Sequence, residues 1–137
     1  MGTNTAVTGI HKIAQRAAQE VKDGQVINLG IGLPSLIVQY LSDNIEVMVH
    51  SENGVLGVAR QATKSQLEPD LIDAGGTYVT TRPGASFFDS AVSFAIIRRA
   101  KLDASFMGAF EVDAEGNLAN WKIPGKFSPG IGGCLLY

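Results

Sequence analysis

The first regular pattern of apolar and polar residues along the chain predicts an amphipathic helix. Apolar side chains recur at spacings of three and four residues from Ile10 to Val21, and charged or amide side chains lie between them. Thr8 can cap the amino end of this helix, and Asp23-Gly24 can end it because glycine readily adopts a positive φ. Residues 25–29 then predict a short buried strand.

The residues after this strand complete a strand–helix–strand unit. Gly30-Ile31-Gly32-Leu33-Pro34 forms a glycine turn, residues 35–41 predict a second helix, and residues 45–49 predict a second strand. A strand, a glycine turn, a helix and another strand make up the βαβ unit of α/β proteins. We therefore expect an α/β fold.

Weaker patterns follow in the middle of the chain. Residues 55–76 mix apolar and polar side chains without a clear period, which predicts mostly loop. Residues 78–81 predict a strand that ends at a turn formed by Pro83-Gly84. Ser86 is then the expected N-cap of a helix over residues 87–99, with Asp89 near its positive end.

The remaining elements are predicted to be strands. Residues 102–108 predict a buried strand and residues 110–112 a continuation of the sheet, before a strong turn signal at residues 113–117. Three aromatic residues recur at helical spacing, and we expect them in the core: Phe87, Phe88 and Phe94. Trp121 is expected in the core or at an interface.

Composition narrows the functional classes. The 137 residues are 45% hydrophobic and 18% charged with a net charge of −2, which is globular and argues against nucleic-acid binding. Apolar stretches are far shorter than the roughly 20 residues of a membrane span. The first residues lack the layout of a signal peptide, so a cytoplasmic location without membrane attachment is expected. With Cys134 as the single cysteine and only two histidines, no metal site is expected.

Glu52 is the first candidate for chemistry. It follows an apolar strand, and ligands of open α/β sheets bind beyond the carboxyl ends of the strands. Asn53-Gly54 permits a tight turn with positive φ that lifts the glutamate off the sheet. Such a carboxylate can be a general base, a metal ligand or a covalent nucleophile. The same residues also fit an ordinary solvated loop, which is the commoner outcome for this spacing.

Two glycine-rich segments are further candidates. Gly30 and Gly32 after a strand let the backbone approach a phosphate, although the dinucleotide fingerprint has a third glycine where Ser35 stands. Asn28 just before them fits either a ligand contact or a turn-capping amide. The run Gly130-Ile131-Gly132-Gly133 can present amides to an oxyanion, or can be a flexible glycine run.

Six segments, taken in order, resemble the B (β) subunit of family I, 3-oxoacid-type CoA-transferases. The resemblance covers residues 10–133. The chain is similar in the same way to the C-terminal half of the fused succinyl-CoA:3-oxoacid CoA-transferases. The segments are Asn28-Leu29-Gly30-Ile31-Gly32-Leu33-Pro34, Ser51-Glu52-Asn53-Gly54-Val55-Leu56-Gly57, Asp73-Ala74-Gly75, Pro83-Gly84-Ala85-Ser86-Phe87-Phe88-Asp89-Ser90, Leu118-Ala119-Asn120-Trp121 and Ile123-Pro124-Gly125-Lys126.

The resemblance implies an open, largely parallel sheet with flanking helices and a ping-pong transfer of coenzyme A between carboxylic acids. It makes Glu52 the nucleophile that carries a glutamyl-CoA thioester, and Gly133 an oxyanion-hole amide whose partner comes from an A subunit. Acyl-CoA and carboxylic acids are then substrates, and no cofactor is bound permanently. The remaining implied contacts with coenzyme A are Asn28, Gly30, Gly32, Asn53 and Gly54.

Departures from the family pattern leave alternatives open. Gly76 stands where many members have a lysine, and Cys134-Leu135-Leu136-Tyr137 stands where the family continues with Ala-Met-Asp-Leu and about a third more chain. We therefore expect residues 1–137 to be one domain of the B type that lacks its last strands. A truncated, inactive fragment that binds coenzyme A or a partner is the alternative function. A sugar-phosphate isomerase with Glu52 as base is a third, which isotope exchange into the substrate distinguishes from acyl transfer.

Overall fold

The computed structural model describes residues 9–120, 122 and 124–125. Two α-helices, two 3₁₀ helices and seven strands lie in this part of the chain. In order they are α1 (Gly9–Ala18), β1 (Val26–Leu29), the first 3₁₀ helix (Leu33–Tyr40), β2 (Met48–Ser51), β3 (Val55–Gln61), the second 3₁₀ helix (Lys64–Gln66), β4 (Val79–Phe87), α2 (Ser90–Arg98), β5 (Ala104–Phe106), β6 (Glu111–Val112) and β7 (Leu118–Ala119).

The main sheet has five strands in the order β4-β3-β2-β1-β5. Strand β1 pairs in parallel with β2 on one side and with β5 on the other. Strand β3 is antiparallel to both β2 and β4, so it runs against the common direction of the other four. The open, largely parallel sheet with flanking helices is therefore confirmed.

The core lies between this sheet, α1 and the first 3₁₀ helix. The predicted first helix is confirmed as α1, but it ends at Ala18 rather than at Asp23-Gly24. It buries its alanines, Ala14 and Ala18, rather than its larger side chains. Ile10 and Ile13 on the same helix are 52% and 55% exposed. Small alanine side chains let the helix lie close to the buried valines and isoleucines of the sheet and the 3₁₀ helix. The predicted cap Thr8 lies outside the described residues.

The prediction of a loop over residues 55–76 is wrong at its start, because residues 55–61 form strand β3 between β2 and β4. The pairing of β3 is irregular on both sides, with register shifts around Gly57. Gly57 has φ +100, and the shift places Val55 and Val58, three residues apart, in the core. A bulge of this kind removes the two-residue alternation that identifies a strand in a sequence.

The prediction that a strand ends at Pro83-Gly84 is also wrong. Strand β4 continues through it to Phe87, and its register with β3 jumps between Thr81 and Ser86. Gly84 has φ +85 within this irregular stretch. The proline and glycine therefore mark a bulge inside a strand.

Helix α2 begins later than predicted. Its N-cap is Asp89, whose Oδ1 accepts a hydrogen bond from the Val92 amide at 2.8 Å, so Ser86 is not the cap. Phe87 belongs to β4 and is 64% exposed, which contradicts its predicted place in the core. Phe88 and Phe94 are half-buried. The buried face of this short helix is narrow and consists of Ser93 and Ile97.

Residues 110–112 do not continue the main sheet as predicted. They contribute β6, which pairs with β7 in a separate two-stranded hairpin. The turn predicted at residues 113–117 is confirmed, because Asp113 Oδ1 accepts hydrogen bonds from the amides of Glu115 and Asn117. These bonds hold the pKa of Asp113 below its ordinary value, with the Asn117 side chain contributing most. Trp121 lies outside the described residues.

No helix in the described part of the chain is long and apolar enough to cross a membrane. The cytoplasmic location stays a prediction.

Candidate functional site

Glu52 lies in a tight turn at the carboxyl end of β2, between β2 and β3. The Gly54 amide closes the turn by donating to the Ser51 carbonyl oxygen at 3.0 Å, and Gly54 has φ +114. The positive-φ turn predicted at Asn53-Gly54 is therefore confirmed. Glu52 is half-buried, so part of this residue is open to solvent at the carboxyl end of β2.

Side chains on both sides of Glu52 fix this turn to the loop before β4. The buried Ser51 Oγ accepts a hydrogen bond from the Ala74 amide at 2.9 Å. Asn53 Nδ2 donates to the Ile72 carbonyl oxygen at 2.7 Å. Catalytic side chains need positions held by such supporting contacts, because small displacements cost much of the rate.

Gly54 attaches the turn to Phe88, in the short connection between β4 and α2. Its carbonyl oxygen accepts a hydrogen bond from the Phe88 amide at 3.0 Å. A Cβ atom at position 54 would lie 2.0 Å from the Phe88 carbonyl oxygen, a distance no side chain tolerates. Only glycine therefore fits here, for its φ and for its size.

The Gly30-to-Gly32 turn lies beside the glutamate turn at the same edge of the sheet. Asn28 on β1 pairs with His50 on β2, so Gly30 and Glu52 each lie two residues beyond this pair. The Gly30 amide donates to the Phe106 carbonyl oxygen at 2.8 Å, which places the end of β5 at this edge as well. The carboxyl ends of all three parallel strands therefore meet, as expected of a ligand-binding edge.

A cleft of about 380 Å³ opens next to these turns, a size in the range of small-molecule sites. Among the predicted site residues, Gly30 and Gly32 line it, together with Ser51. Glu52, Asn53 and Gly54 are not in its wall and lie on the adjoining turn. The cleft runs between the first 3₁₀ helix, β3 and the loop before β4, with Arg60 and Asp73 among its polar lining.

A buried polar cluster lies beneath the glutamate turn, and we define it as Asn28, His50 and Ser93. All three are almost fully buried, with 2%, 0% and 0% exposure. Asn28 Nδ2 lies 3.0 Å from His50 Nδ1 and 3.2 Å from the His50 carbonyl oxygen, and Ser93 Oγ lies 3.0 Å from His50 Nε2. The Asn28 amide thus bonds to His50, and its predicted contact with coenzyme A stays a prediction.

His50 is the residue that sequence reasoning missed. Its burial lowers the pKa of its imidazole below the ordinary 6.5, so the ring is neutral at pH 7. The signal in the sequence was a histidine at the end of an otherwise apolar strand, two residues before the glutamate. The partners of His50 come from β1 and α2, and no local pattern connects them.

The oxyanion residue predicted at Gly133 lies outside the described residues, so its role stays a prediction. The described geometry provides a glutamate on a fixed turn, a glycine turn at the same edge of the sheet and an adjoining cleft. This arrangement suits covalent or acid–base chemistry by Glu52 on a ligand bound along the edge.

Comparison with known proteins identifies relatives over most of the chain. The family model described as Coenzyme A transferase matches residues 10–134. The beta subunit of the acetate CoA-transferase of Escherichia coli K12 is 49% identical over 124 residues, which are 90% of this chain and 56% of that protein. The B-type subunit of the succinyl-CoA:3-ketoacid coenzyme A transferase of Helicobacter pylori 26695 is 46% identical, over 90% of this chain and 59% of that protein. The chain thus spans just over half the length of these relatives.

Solved structures with a similar fold are much longer chains. An acyl-CoA transferase of Escherichia coli O157:H7, crystallised as the apoenzyme, matches with a TM-score of 0.68 and 22% identity. The match covers 99% of this chain and 24% of that one. A second structure from the same organism, described as a thioester complex with CoA, gives a TM-score of 0.66 and 25% identity, over 98% and 23% of the two chains.

Proposed function

The chain belongs to the coenzyme A transferase family and resembles its B-type subunits, and we propose that it transfers coenzyme A between carboxylic acids with Glu52 as the nucleophile. The observation that carries this proposal is the glutamate turn itself. Glu52 stands at the carboxyl edge of three parallel strands. The turn is fixed on either side by a hydrogen bond that Ser51 Oγ accepts and one that Asn53 Nδ2 donates.

The chemistry suits a carboxylate held in this way. A Glu52 oxygen attacks the carbonyl carbon of an acyl-CoA, and the carbon–sulfur bond breaks. The coenzyme A thiolate is released, and the acyl group remains on Glu52 as a mixed acyl-glutamyl anhydride. The thiolate then attacks the glutamyl carbonyl carbon, releasing the first carboxylic acid and forming a glutamyl-CoA thioester. A second carboxylate collects coenzyme A by the reverse steps, and no redox equivalent enters or leaves.

Each tetrahedral intermediate in this sequence carries a negative oxygen that needs donors. We assign one donor to the Gly133 amide and the other to an A subunit, each contributing on the order of 3 kcal/mol. The edge formed by Gly30 and Gly32 and the adjoining cleft are suited to the long arm of coenzyme A. Contacts along that non-reacting arm can then contribute binding energy to the reaction at the thioester.

Acetoacetate, with succinyl-CoA or acetyl-CoA as donor, is the substrate pair we propose. The names of the bacterial relatives, which specify acetate and succinyl-CoA:3-ketoacid transferases, support this choice. Those names also specify one subunit of a larger enzyme, which supports a partner of the A type.

The test is transfer of coenzyme A from succinyl-CoA to acetoacetate, measured with an A-type subunit present. Glu52→Gln keeps the shape of the side chain and removes its nucleophile, so we expect a rate loss of three or more orders of magnitude, roughly the scale seen when other enzymes lose a nucleophile. Glu52→Asp keeps the carboxylate but withdraws it by about one bond length, for which we expect a loss of about 100-fold.

Glu68→Gln is the matched control, because Glu68 is exposed and lies in the loop between β3 and β4. We expect this variant to keep full activity. Transfer by Glu52→Gln at the rate of Glu68→Gln contradicts the assignment.

A further inference from the structure

A buried histidine lies directly beneath the glutamate turn, and the steps proposed above do not use it. His50 is fully buried, two residues before Glu52, and its ring has hydrogen-bond partners on both nitrogens. A buried polar ring is unusual at this position, because the preceding residue of β2, Val49, is apolar and buried. A buried polar network whose hydrogen bonds are all made fixes the local geometry of the elements that it joins.

The hydrogen bonds assign the form of the imidazole. The His50 carbonyl oxygen only accepts, so the Asn28 atom 3.2 Å from it is the donating Nδ2. The same Nδ2 lies 3.0 Å from His50 Nδ1, which is therefore the acceptor nitrogen. The proton is then on Nε2, which donates to Ser93 Oγ at 3.0 Å. A neutral ring with one donor and one acceptor satisfies both neighbours, whereas a protonated ring presents a donor to Asn28 Nδ2.

The ring also contacts the segment that closes the turn from the other side. It stacks near the Phe88 ring, with centroids 6.1 Å apart and an interplanar angle of 15°. The Phe88 amide donates to the Gly54 carbonyl oxygen. His50 therefore connects the end of β1, the start of α2 and the far side of the Glu52 turn.

We propose that His50 is a positioning residue that holds the Glu52 turn in its reactive geometry through Asn28, Ser93 and Phe88. This inference rests on the proposed role of Glu52 as nucleophile. Glu52 lies midway between His50 and Gly54. Asn28 and Ser93 hold the His50 end of this short segment, and the Phe88 amide holds the Gly54 end, while the Phe88 ring contacts the His50 ring. Loosening His50 lets the turn move without removing any group that reacts.

Three variants test the proposal in the complex with an A-type subunit. His50→Leu removes both ring hydrogen bonds, and His50→Asn places an amide oxygen near the position of Nδ1, which keeps an acceptor for Asn28. His11→Leu is the matched control, because His11 also has a ring hydrogen bond, to the Tyr40 hydroxyl at 2.6 Å. That bond joins α1 to the first 3₁₀ helix rather than to the glutamate turn.

We expect His50→Leu to lower kcat per active site by about 10- to 100-fold, since a displacement of about 1 Å can cost that much. KM for the acyl-CoA should change less than about twofold, because the groups that bind coenzyme A are retained. His50→Asn should regain most of kcat. His11→Leu should keep kcat per active site, even if it melts at a lower temperature. Wild-type kcat in His50→Leu, or equal losses in the two leucine variants, overturns the proposal.

Hydrogen exchange of the Gly54 amide supplies a readout that does not need turnover. This amide donates to Ser51 across the turn, so its exchange reports the closure of the turn. We expect exchange at least about 10-fold faster in His50→Leu and unchanged in His11→Leu. If the unsubstituted complex transfers no coenzyme A, the proposed function fails and this comparison still decides the role of His50. Equal exchange in the wild type and His50→Leu overturns it.

Discussion

Gly54→Ala is the substitution for which the structure makes the sharpest stability prediction. The turn holds Gly54 at φ +114, where an L-residue costs about 1–2 kcal/mol or more. Its new Cβ would lie 2.0 Å from the Phe88 carbonyl oxygen, which is backbone and cannot rotate away. Relieving that clash moves the start of α2 off the turn.

The cost of that movement has two parts. The hydrogen bond from the Phe88 amide to the Gly54 carbonyl oxygen is lost, at about 1 kcal/mol. Forcing extra volume into a packed site costs about 1–3 kcal/mol more. Together with the backbone cost, we therefore expect Gly54→Ala to lower the free energy of unfolding by about 3–6 kcal/mol, a large share of the roughly 5–15 kcal/mol typical of a domain.

Gly24→Ala is the matched control. Gly24 also has a positive φ, +77, but nothing lies within 4 Å of its added Cβ. Only the backbone term applies, so we expect a loss of about 1–2 kcal/mol. Urea unfolding followed by far-ultraviolet circular dichroism measures both, provided the slope m is unchanged. Equal losses in the two variants refute the clash with Phe88.

Two further predictions concern the cap of α2 and the buried histidine. Asp89→Ala should lower the free energy of unfolding by about 1 kcal/mol, because the hydrogen bond from the Val92 amide is lost. Ser86→Ala should change it by less than about 0.5 kcal/mol. Thermal melts compare the two variants, and a larger loss in Ser86→Ala contradicts the observed cap. Burial lowers the folded-state pKa of His50 below 6.5, so the unfolded chain binds the proton more readily. The stability contributed by neutral His50 is therefore complete above about pH 6.5 and is lost as the pH falls below it. Urea unfolding at about pH 7.5 and about pH 5.5 measures this loss, which should be smaller in His50→Asn than in the wild type. The same pH dependence in both proteins contradicts the prediction.

The parts of the fold that local patterns specify were predictable from the sequence. The periodicity of residues 10–21 predicted α1, and the sequence of residues 25–29 predicted β1. The Asn53-Gly54 pair predicted the tight turn that carries Glu52, because positive φ at glycine is a local property.

The elements that the sequence did not predict depend on pairing between distant residues. Apolar and polar residues do not alternate cleanly along β3 because of the bulge at Gly57. Its strand conformation depends on pairing with β2 and β4. The N-cap shifted from Ser86 to Asp89 because β4 includes the residues through Phe87. Propensity alone does not decide between two nearby capping residues.

The candidate site was predictable in part for the same reason. The positions of Glu52, Gly30 and Gly32 at one edge follow from parallel strands, whose carboxyl ends meet. The hydrogen bond between Asn28 and His50 joins residues 22 apart, and the one between His50 and Ser93 joins residues 43 apart. Contacts of this separation arise only from the assembled fold.

The central claim is that Glu52 becomes covalently attached to coenzyme A. The most direct measurement is mass spectrometry with peptide mapping, after the chain and an A-type subunit have been incubated with succinyl-CoA. We predict an added mass of one coenzyme A on the peptide that contains Glu52, which hydroxylamine removes and which Glu52→Gln lacks while Glu68→Gln retains it. Efficient transfer to acetoacetate with no adduct at Glu52, or an adduct that persists in Glu52→Gln, would contradict the account.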